Sequence, residues 1–246
     1  MCVIVHHIMK FSKIYEDEHC LIINKPVGIM VHPDGRSKEE TISDVLKKEY
    51  KEVQDVGDED REGIVHRLDK DTSGVLMLAK DQATFLYFKR LFKEHRVRKV
   101  YRAIVEGNIR EDTGMITAPI ARARSDFRKR TVVDMYSKDA RGTEREAQTR
   151  YKVIGRATHN GKKYTYVECF PITGRTHQIR VHFRSIRHPI IGDELYGSTE
   201  GSKEAVRSML HAYSVTTFLP EKGETTFIAP IPDDMKETLA SLGFLC

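Results

Sequence analysis

The stretch Gly63 to Asp81, GIVHRLDKDTSGVLMLAKD, decides how the rest of the chain is read. Ile64-Val65 is short and apolar, His66 to Gly74 is polar and rich in turn formers, and Val75 to Ala79 is a continuous apolar run. A run of that length and composition predicts a strand buried on both faces. A dense polar loop feeding a buried strand is a good place for chemistry, because the scaffold fixes what the loop presents.

Working outward, Asp81 is placed to cap a helix reaching about His95. Phe85, Phe88 and Phe92 would share its buried side, with Lys89, Lys93 and Arg96 turned outward. Upstream, FSKIYEDEHCLIINKPVGIMVHP from Phe11 predicts strands around Ile14 and Leu21-Ile22-Ile23, broken by Asn24, Lys25-Pro26 and Gly28. Residues 1–10 are expected to form a tail or an extra strand. Thr41 to Lys47 predicts a short amphipathic helix with Thr41 or Ser43 at its N-cap. The acidic stretch Glu49 to Glu62 is expected to be an exposed, mobile loop.

Downstream, Val100–Val105, Gly114–Ile120, Thr131–Tyr136, Glu146–Ile154 and Tyr164–Phe170 are short strand-like segments. Asn160-Gly161 between two of them is a strong hairpin signal. Successive strands with few helices between them predict an α+β fold, a mixed, mainly antiparallel sheet with flanking helices. No repeat or linker interrupts residues 11–246, which are expected to form a single domain. In Arg175 to Pro189, helical spacing puts His177, Arg180, Arg184 and Arg187 on one face and Ile179, Phe183 and Ile186 near the other. Taken alone, such a cationic face is a solvated one.

The chain has 246 residues and a formal net charge of +5. Acids concentrate in Glu49 to Glu62, and bases in Lys89 to Arg102 and Arg122 to Arg130. That segregation fits either a nucleic-acid binder or an unevenly charged solvated surface. Cys2, Cys20, Cys169 and Cys246 lack metal-like spacing and read as reduced thiols of a cytoplasmic protein. No signal peptide or membrane-spanning run is present. There is no phosphate-cradling glycine motif, no HExxH and no Cys/His cluster. His177 and His182, five apart, would lie on different helix faces and are poor joint metal ligands.

HRLDKDTSG resembles the active-site loop of the RluA-type RNA pseudouridine synthases, whose pattern is HRLDxxTSG. NKPVGIMVHP resembles the opening motif of that family, TGRTHQIRVH its third motif, and HPIIGDELYG, Leu210-His211-Ala212 and FIAPIP its later segments. The resemblance runs from about Phe11 to Met235. It implies isomerisation of uridine in ribosomal (large-subunit) or transfer RNA, with no cofactor and no metal required, by a protein expected to be a monomer. Family members often carry a small RNA-binding module ahead of the opening motif. The chain begins too close to that motif to hold one, so recognition is expected to come from the catalytic domain.

The resemblance also implies residue roles. Asp69 would be the essential carboxylate, acting on the anomeric carbon or on a proton beside it. The plainer reading of a loop aspartate is a turn cap. Asp71, close by, is expected to be structural or exposed. Arg180 would pair with Asp69, because burial alone would raise a carboxyl pKa and a cation is needed to keep it ionised. Tyr101, in KVYRA, would stack on uracil, and Ile179 would form an apolar wall. Arg67 would fill the space left by the flipped base. Thr72, Ser73 and Gly74 would shape the loop around substrate, with His66 and His177 as further substrate contacts. The basic segments flanking the motif, especially Arg96 to Arg102 and Arg122 to Arg130, would hold phosphates of an RNA stem-loop. Two other classes are a non-catalytic RNA-binding module on the same fold and a glycoside hydrolase, which would need a second, suitably placed carboxylate.

Overall fold

The computed structural model describes residues 11–33, 35, 37–57, 62–133, 139–199 and 201–244. The segment 1–10, Cys2 and Cys246 lie outside the described residues. Strand β1 (Ser12–Glu16) and β2 (Cys20–Lys25) form an antiparallel hairpin. Helix α1 (Ile42–Glu49) follows. Its N-cap is Thr41, whose side chain accepts from the Asp44 amide while the Asp44 carboxylate accepts from the Thr41 amide, a capping box. The apolar run is β3 (Ser73–Ala79), buried at all seven positions. Asp81 caps α2 (Gln82–Lys93) through the Thr84 amide. Phe85 and Phe88 are buried and Phe92 half-buried.

β4 (Arg98–Glu106), β9 (Gln148–His159) and β10 (Lys162–Pro171) form the long antiparallel middle, with β9 and β10 turning at Asn160-Gly161, both at positive φ. The expected strand Gly114–Ile120 is two strands: β5 (Thr113–Thr117) joins β9, and β6 (Ile120–Ala123) starts a second, three-stranded sheet. Pro119 has no N–H for a ladder, so the chain changes sheets there. β7 (Arg130–Val132) and β8 (Ala140–Arg145) flank β6. Of the expected strand Thr131–Tyr136, residues 134–136 lie outside the described residues. After α3 (Gln178–Ser185) come β11 (Leu210–Leu219), β12 (Gly223–Ile228) and α4 (Asp233–Ser241).

The nine-stranded sheet runs β1-β2-β3-β11-β4-β10-β9-β5, with β12 paired to β11. Every pairing is antiparallel except β3 with β11, which touch in parallel only at Ser73–His211 and Gly74–Ala212. Beyond Ala212, β12 takes over that edge of β11 from β3. The sheet therefore forks where the polar loop enters β3. Alternation along β3 serves two cores: Leu76 and Leu78 pack with Ile42 and Leu46 of α1, whereas Val75, Met77 and Ala79 pack with Phe85, Phe88 and Leu91 of α2. A third core joins Ile104, Val167 and Met209 to Phe183 of α3 and Leu239 of α4.

Two expectations are corrected. The stretch Glu49–Glu62 is not simply exposed: Val53 and Val56 are buried, and the buried Glu62 carboxylate takes Lys47 at 2.5 Å and the Ser43 hydroxyl. Residues 58–61 of it lie outside the described residues. The cationic helix is also shorter than its pattern. His177 at its N-cap and Arg187 beyond its end both have positive φ, so the regular helix covers only part of the predicted face.

Gly74 marks the fork. Its φ is +115°, and a Cβ there would sit 2.1 Å from the Ala212 carbonyl oxygen of β11. Backbone meets backbone, so no side chain can yield. Gly74→Ala is expected to destabilise by about 3 kcal/mol or more, read as a lowered urea midpoint; an unchanged midpoint would contradict this packing.

Candidate active site

The loop Leu68–Thr72 hangs from β3 and is tied down from beneath. Lys25, fully buried at the end of β2, donates its ammonium to the carbonyls of Pro26 (2.8 Å), Ile29 (3.0 Å) and Lys70 (3.1 Å). The Gly28 amide also donates to Lys70 O at 2.9 Å. Burial pulls the Lys25 pKa down to about 7, against the opposing pull of Asp69 and Asp71. On the other side, the Thr72 amide closes back onto Asp69 O at 3.1 Å. This leaves the Asp69 side chain aimed into a cavity of about 550 Å³.

Across the cavity stands Arg180. Its Nη1 donates to Asp69 Oδ2 at 3.2 Å, while Nε and Nη2 grip both oxygens of Asp193 at 2.6 and 2.8 Å. Arg180 is 5% exposed. Asp193 Oδ1 also accepts from the amides of Leu195 and Tyr196, each at 3.0 Å. The Tyr196 ring lies 5.1 Å from the guanidinium. Its hydroxyl accepts from the Arg130 amide (2.7 Å) and shares a hydrogen bond with His177 Nδ1 (2.9 Å). The other ring nitrogen of His177, Nε2, faces Asp69 Oδ1 at 3.8 Å.

Burial works to raise the Asp69 pKa, but His177, Arg180 and Arg67 together outweigh it and hold the carboxyl below its usual range. Burial lowers the His177 pKa, so near neutrality its imidazole is uncharged and the standing cations are the two arginines. Tyr101 lines the cavity from β4. Burial, then Asp69, pushes its phenol pKa up, so its hydroxyl stays protonated.

The expected set is largely gathered in one place. Asp69, Arg180, Tyr101, Ile179, Arg67, His66, Thr72 and His177 all line the cavity. Ser73 and Gly74 do not: Ser73 hydrogen-bonds His211 Nδ1 at 2.8 Å behind the loop, and Gly74 is packed on β11. His66 has its Nε2 occupied by the Met77 amide at 2.9 Å and its ring stacked on Phe92 at 4.7 Å. Burial, then Lys99, drops its pKa to about 3, so it is a neutral structural acceptor at the cavity wall. Arg102 is not turned to solvent but pairs with Glu168 at 2.9 Å and lies 4.1 Å over Tyr213. His182 bonds Thr149 and Ala118 O, away from His177. Asp193, Tyr196 and the looping role of Gln178, which braces Thr173 and Arg175, were not assigned. Asp193 sits in HPIIGDELYG, a string that could have pointed to it.

A family model described as RNA pseudouridylate synthase matches residues 19–185, more than half of the chain. The chain belongs to this family. The ribosomal large subunit pseudouridine synthase D of Borreliella burgdorferi is 39% identical over 221 residues, 89% of this chain and 64% of that protein. Its counterpart in Zymomonas mobilis is 36% identical over 91% of this chain and 70% of its own length. The chain spans a little under two thirds of several such relatives, 62% in a Neisseria meningitidis synthase D. Among solved structures, human RNA pseudouridylate synthase domain containing 1 superposes with a TM-score of 0.75 at 26% identity, covering 94% of this chain and 88% of that one. Human RNA pseudouridylate synthase domain containing 4 gives 0.71 at 27%, covering 94% and 92%.

Removing Arg180 would strand Asp193 and Asp69 together. Arg180→Met is expected to cost about 3–5 kcal/mol at neutral pH, measured by denaturant unfolding. Because the folded-state pKa of Asp69 is depressed, its stabilisation is present above the unfolded carboxylate value and is lost as pH falls through the folded one. The stability advantage of wild type over Asp69→Asn should therefore shrink on acidification below about pH 4; an advantage that grows there would contradict the pairing.

Proposed function

We propose that this chain isomerises uridine to pseudouridine in RNA, with Asp69 as the essential carboxylate, and that its target lies in large-subunit ribosomal RNA. The observation that carries the reading is the ionised Asp69 held by Arg180 at the mouth of a cavity walled by Tyr101 and Ile179. The names of the relatives support the choice of RNA. Residues 11–246 act as one domain in this reading, the protein works as a monomer in the cytoplasm, and no cofactor takes part. Among the described residues no helix is long and apolar enough to cross a membrane.

The target uridine is extruded from its stack, and Arg67, exposed at the rim beside His32 (3.0 Å), enters the vacated space. The uracil ring lies between Tyr101 and Ile179 with its ribose over Asp69. The bond from C1′ to N1 breaks and the base carries away the electron pair. After the base turns, C5 bonds to C1′, and the proton displaced from C5 is balanced by one gained at N1. No atom enters or leaves overall. Whether Asp69 adds to C1′ or removes a proton beside it, the ionised form is the active one. Tyr101, kept protonated, serves as a hydrogen-bond donor and proton relay to the turning base.

Pseudouridine mapping of total RNA, with and without the gene, is expected to reveal one or a few sites lost from large-subunit ribosomal RNA. At that site Asp69→Asn should abolish isomerisation while binding the same RNA within a few-fold of wild type. Tyr101→Phe should lower turnover by roughly 10²–10⁴-fold. A wild-type protein that binds RNA and isomerises none of it would leave only the binding-module reading standing.

A further inference from the structure

The cavity wall includes residues beyond the cluster around Asp69. Lys99 precedes Tyr101 by two residues on β4, so both side chains point to the same face, their Cα atoms roughly 6.6 Å apart. Both line the cavity. The Lys99 ammonium has one long contact, to Thr173 O at 3.5 Å, and among the described residues no carboxylate lies within 4 Å of it. A Cβ added to Gly174 would stand 3.8 Å from Nζ, so the strand-to-helix loop passes the ammonium without covering it. The cation is half-buried and unneutralised, and burial pulls its pKa down to about 8. Buried cations are ordinarily paired, and one that is not is a site for an anion supplied from outside.

The wider charge pattern fits. Five cationic side chains, Arg67, Lys93, Lys99, Arg175 and Arg180, line the cavity with a single carboxylate, Asp69. Arg180 is consumed by its two carboxylates and the Arg175 Nε by Glu146 O at 3.0 Å. Among the described residues, Lys99 is a half-buried cation of the cavity wall, two residues along β4 from the tyrosine proposed to carry the base, with no carboxylate within 4 Å.

We infer that Lys99 forms a phosphodiester subsite, binding a non-bridging oxygen of the phosphate that flanks the extruded uridine. The subsite rests on the proposed function and deepens it: it registers the target nucleotide by its backbone, so that the ribose arrives over Asp69 in one orientation. Lys99 is thus a positioning residue, acting on the reaction through where it holds the strand.

The test uses the stem-loop bearing the uridine found by mapping, made with natural phosphates and with an uncharged methylphosphonate at either flanking position. For the wild-type protein, one of the two methylphosphonates should weaken binding about tenfold and raise KM more than it lowers kcat. Lys99→Met should show the same loss with natural RNA and no further loss with that methylphosphonate. It should also reduce the slope of log K against log salt by about 0.7–0.9. Lys99→Arg, which keeps the charge, should recover most of the affinity and also shows that the position tolerates change. If wild type isomerises the RNA but neither methylphosphonate matters, or if each weakens Lys99→Met as much as wild type, the subsite is overturned and the synthase reading survives. If wild type isomerises no uridine, both fall together.

Discussion

A guanidinium shared by two carboxylates is the interaction on which this site depends. A buried carboxylate without a cation would take up a proton near neutrality, and a buried arginine with only one loosely held partner would swing away. Asp193 solves the second problem by gripping Arg180 through both of its oxygens, leaving Nη1 as the arm that reaches Asp69. Asp193 is in turn fixed by two backbone amides of the segment that follows it. The strongest direct contact to the Asp69 carboxylate, from Arg180, is therefore fixed by contacts of residues 180 to 196 and not by the loop that carries Asp69.

That loop is held from the opposite side by the sheet itself. Lys25, Gly74, Ala212, Tyr101 and Cys169 are successive register partners across β2, β3, β11, β4 and β10. One row of the sheet thus contains the lysine that braces the loop, the glycine that permits the fork and the tyrosine of the cavity. A shift of one residue in any of these pairings would turn its members to the other face. The close approach at Gly74 prevents such a slip, since the carbonyl of Ala212 occupies the space a side chain would need. The geometry of the candidate site and the sheet register are the same constraint.

How much of this was legible follows from what leaves a local pattern. β3 declared itself because burial on both faces requires an unbroken apolar run, and α1 and α2 because capping by Thr41 and Asp81 is a local hydrogen-bond arrangement. The break at Pro119 between β5 and β6 was passed over in a single expected strand, Gly114–Ile120, and nothing local says that the second strand leaves for another sheet. β8, ARGTER, is almost wholly exposed and has no apolar period to read. In the site, Asp69, Tyr101 and Arg180 could be named from motifs, and their meeting was expected from the need for a counter-charge. The helical pattern alone would have left Arg180 on a solvated cationic stripe; the expected pairing with Asp69 is what put it inside. Asp193 went unassigned for a related reason, since its role depends on a partner distant in sequence; Lys99 lay within a basic segment expected to hold phosphates, but nothing local marked it out from its cationic neighbours.

The contrast between Arg180 and Lys99 bears on how a polyanion can be admitted to a site that works through a carboxylate. RNA brings phosphates that compete for any cation within reach. If Arg180 had Asp69 as its only partner, an incoming phosphate could draw it off, and Asp69 would lose the charge that keeps it ionised. The bidentate contact with the buried Asp193 commits Arg180 before substrate arrives. Lys99 is left in the opposite condition, a cation in the same cleft with no carboxylate to hold it. Under the proposed subsite, phosphate would be drawn to Lys99 without disturbing the pairing of Asp69, and the strand would be held in register by a charge that has no carboxylate within 4 Å among the described residues.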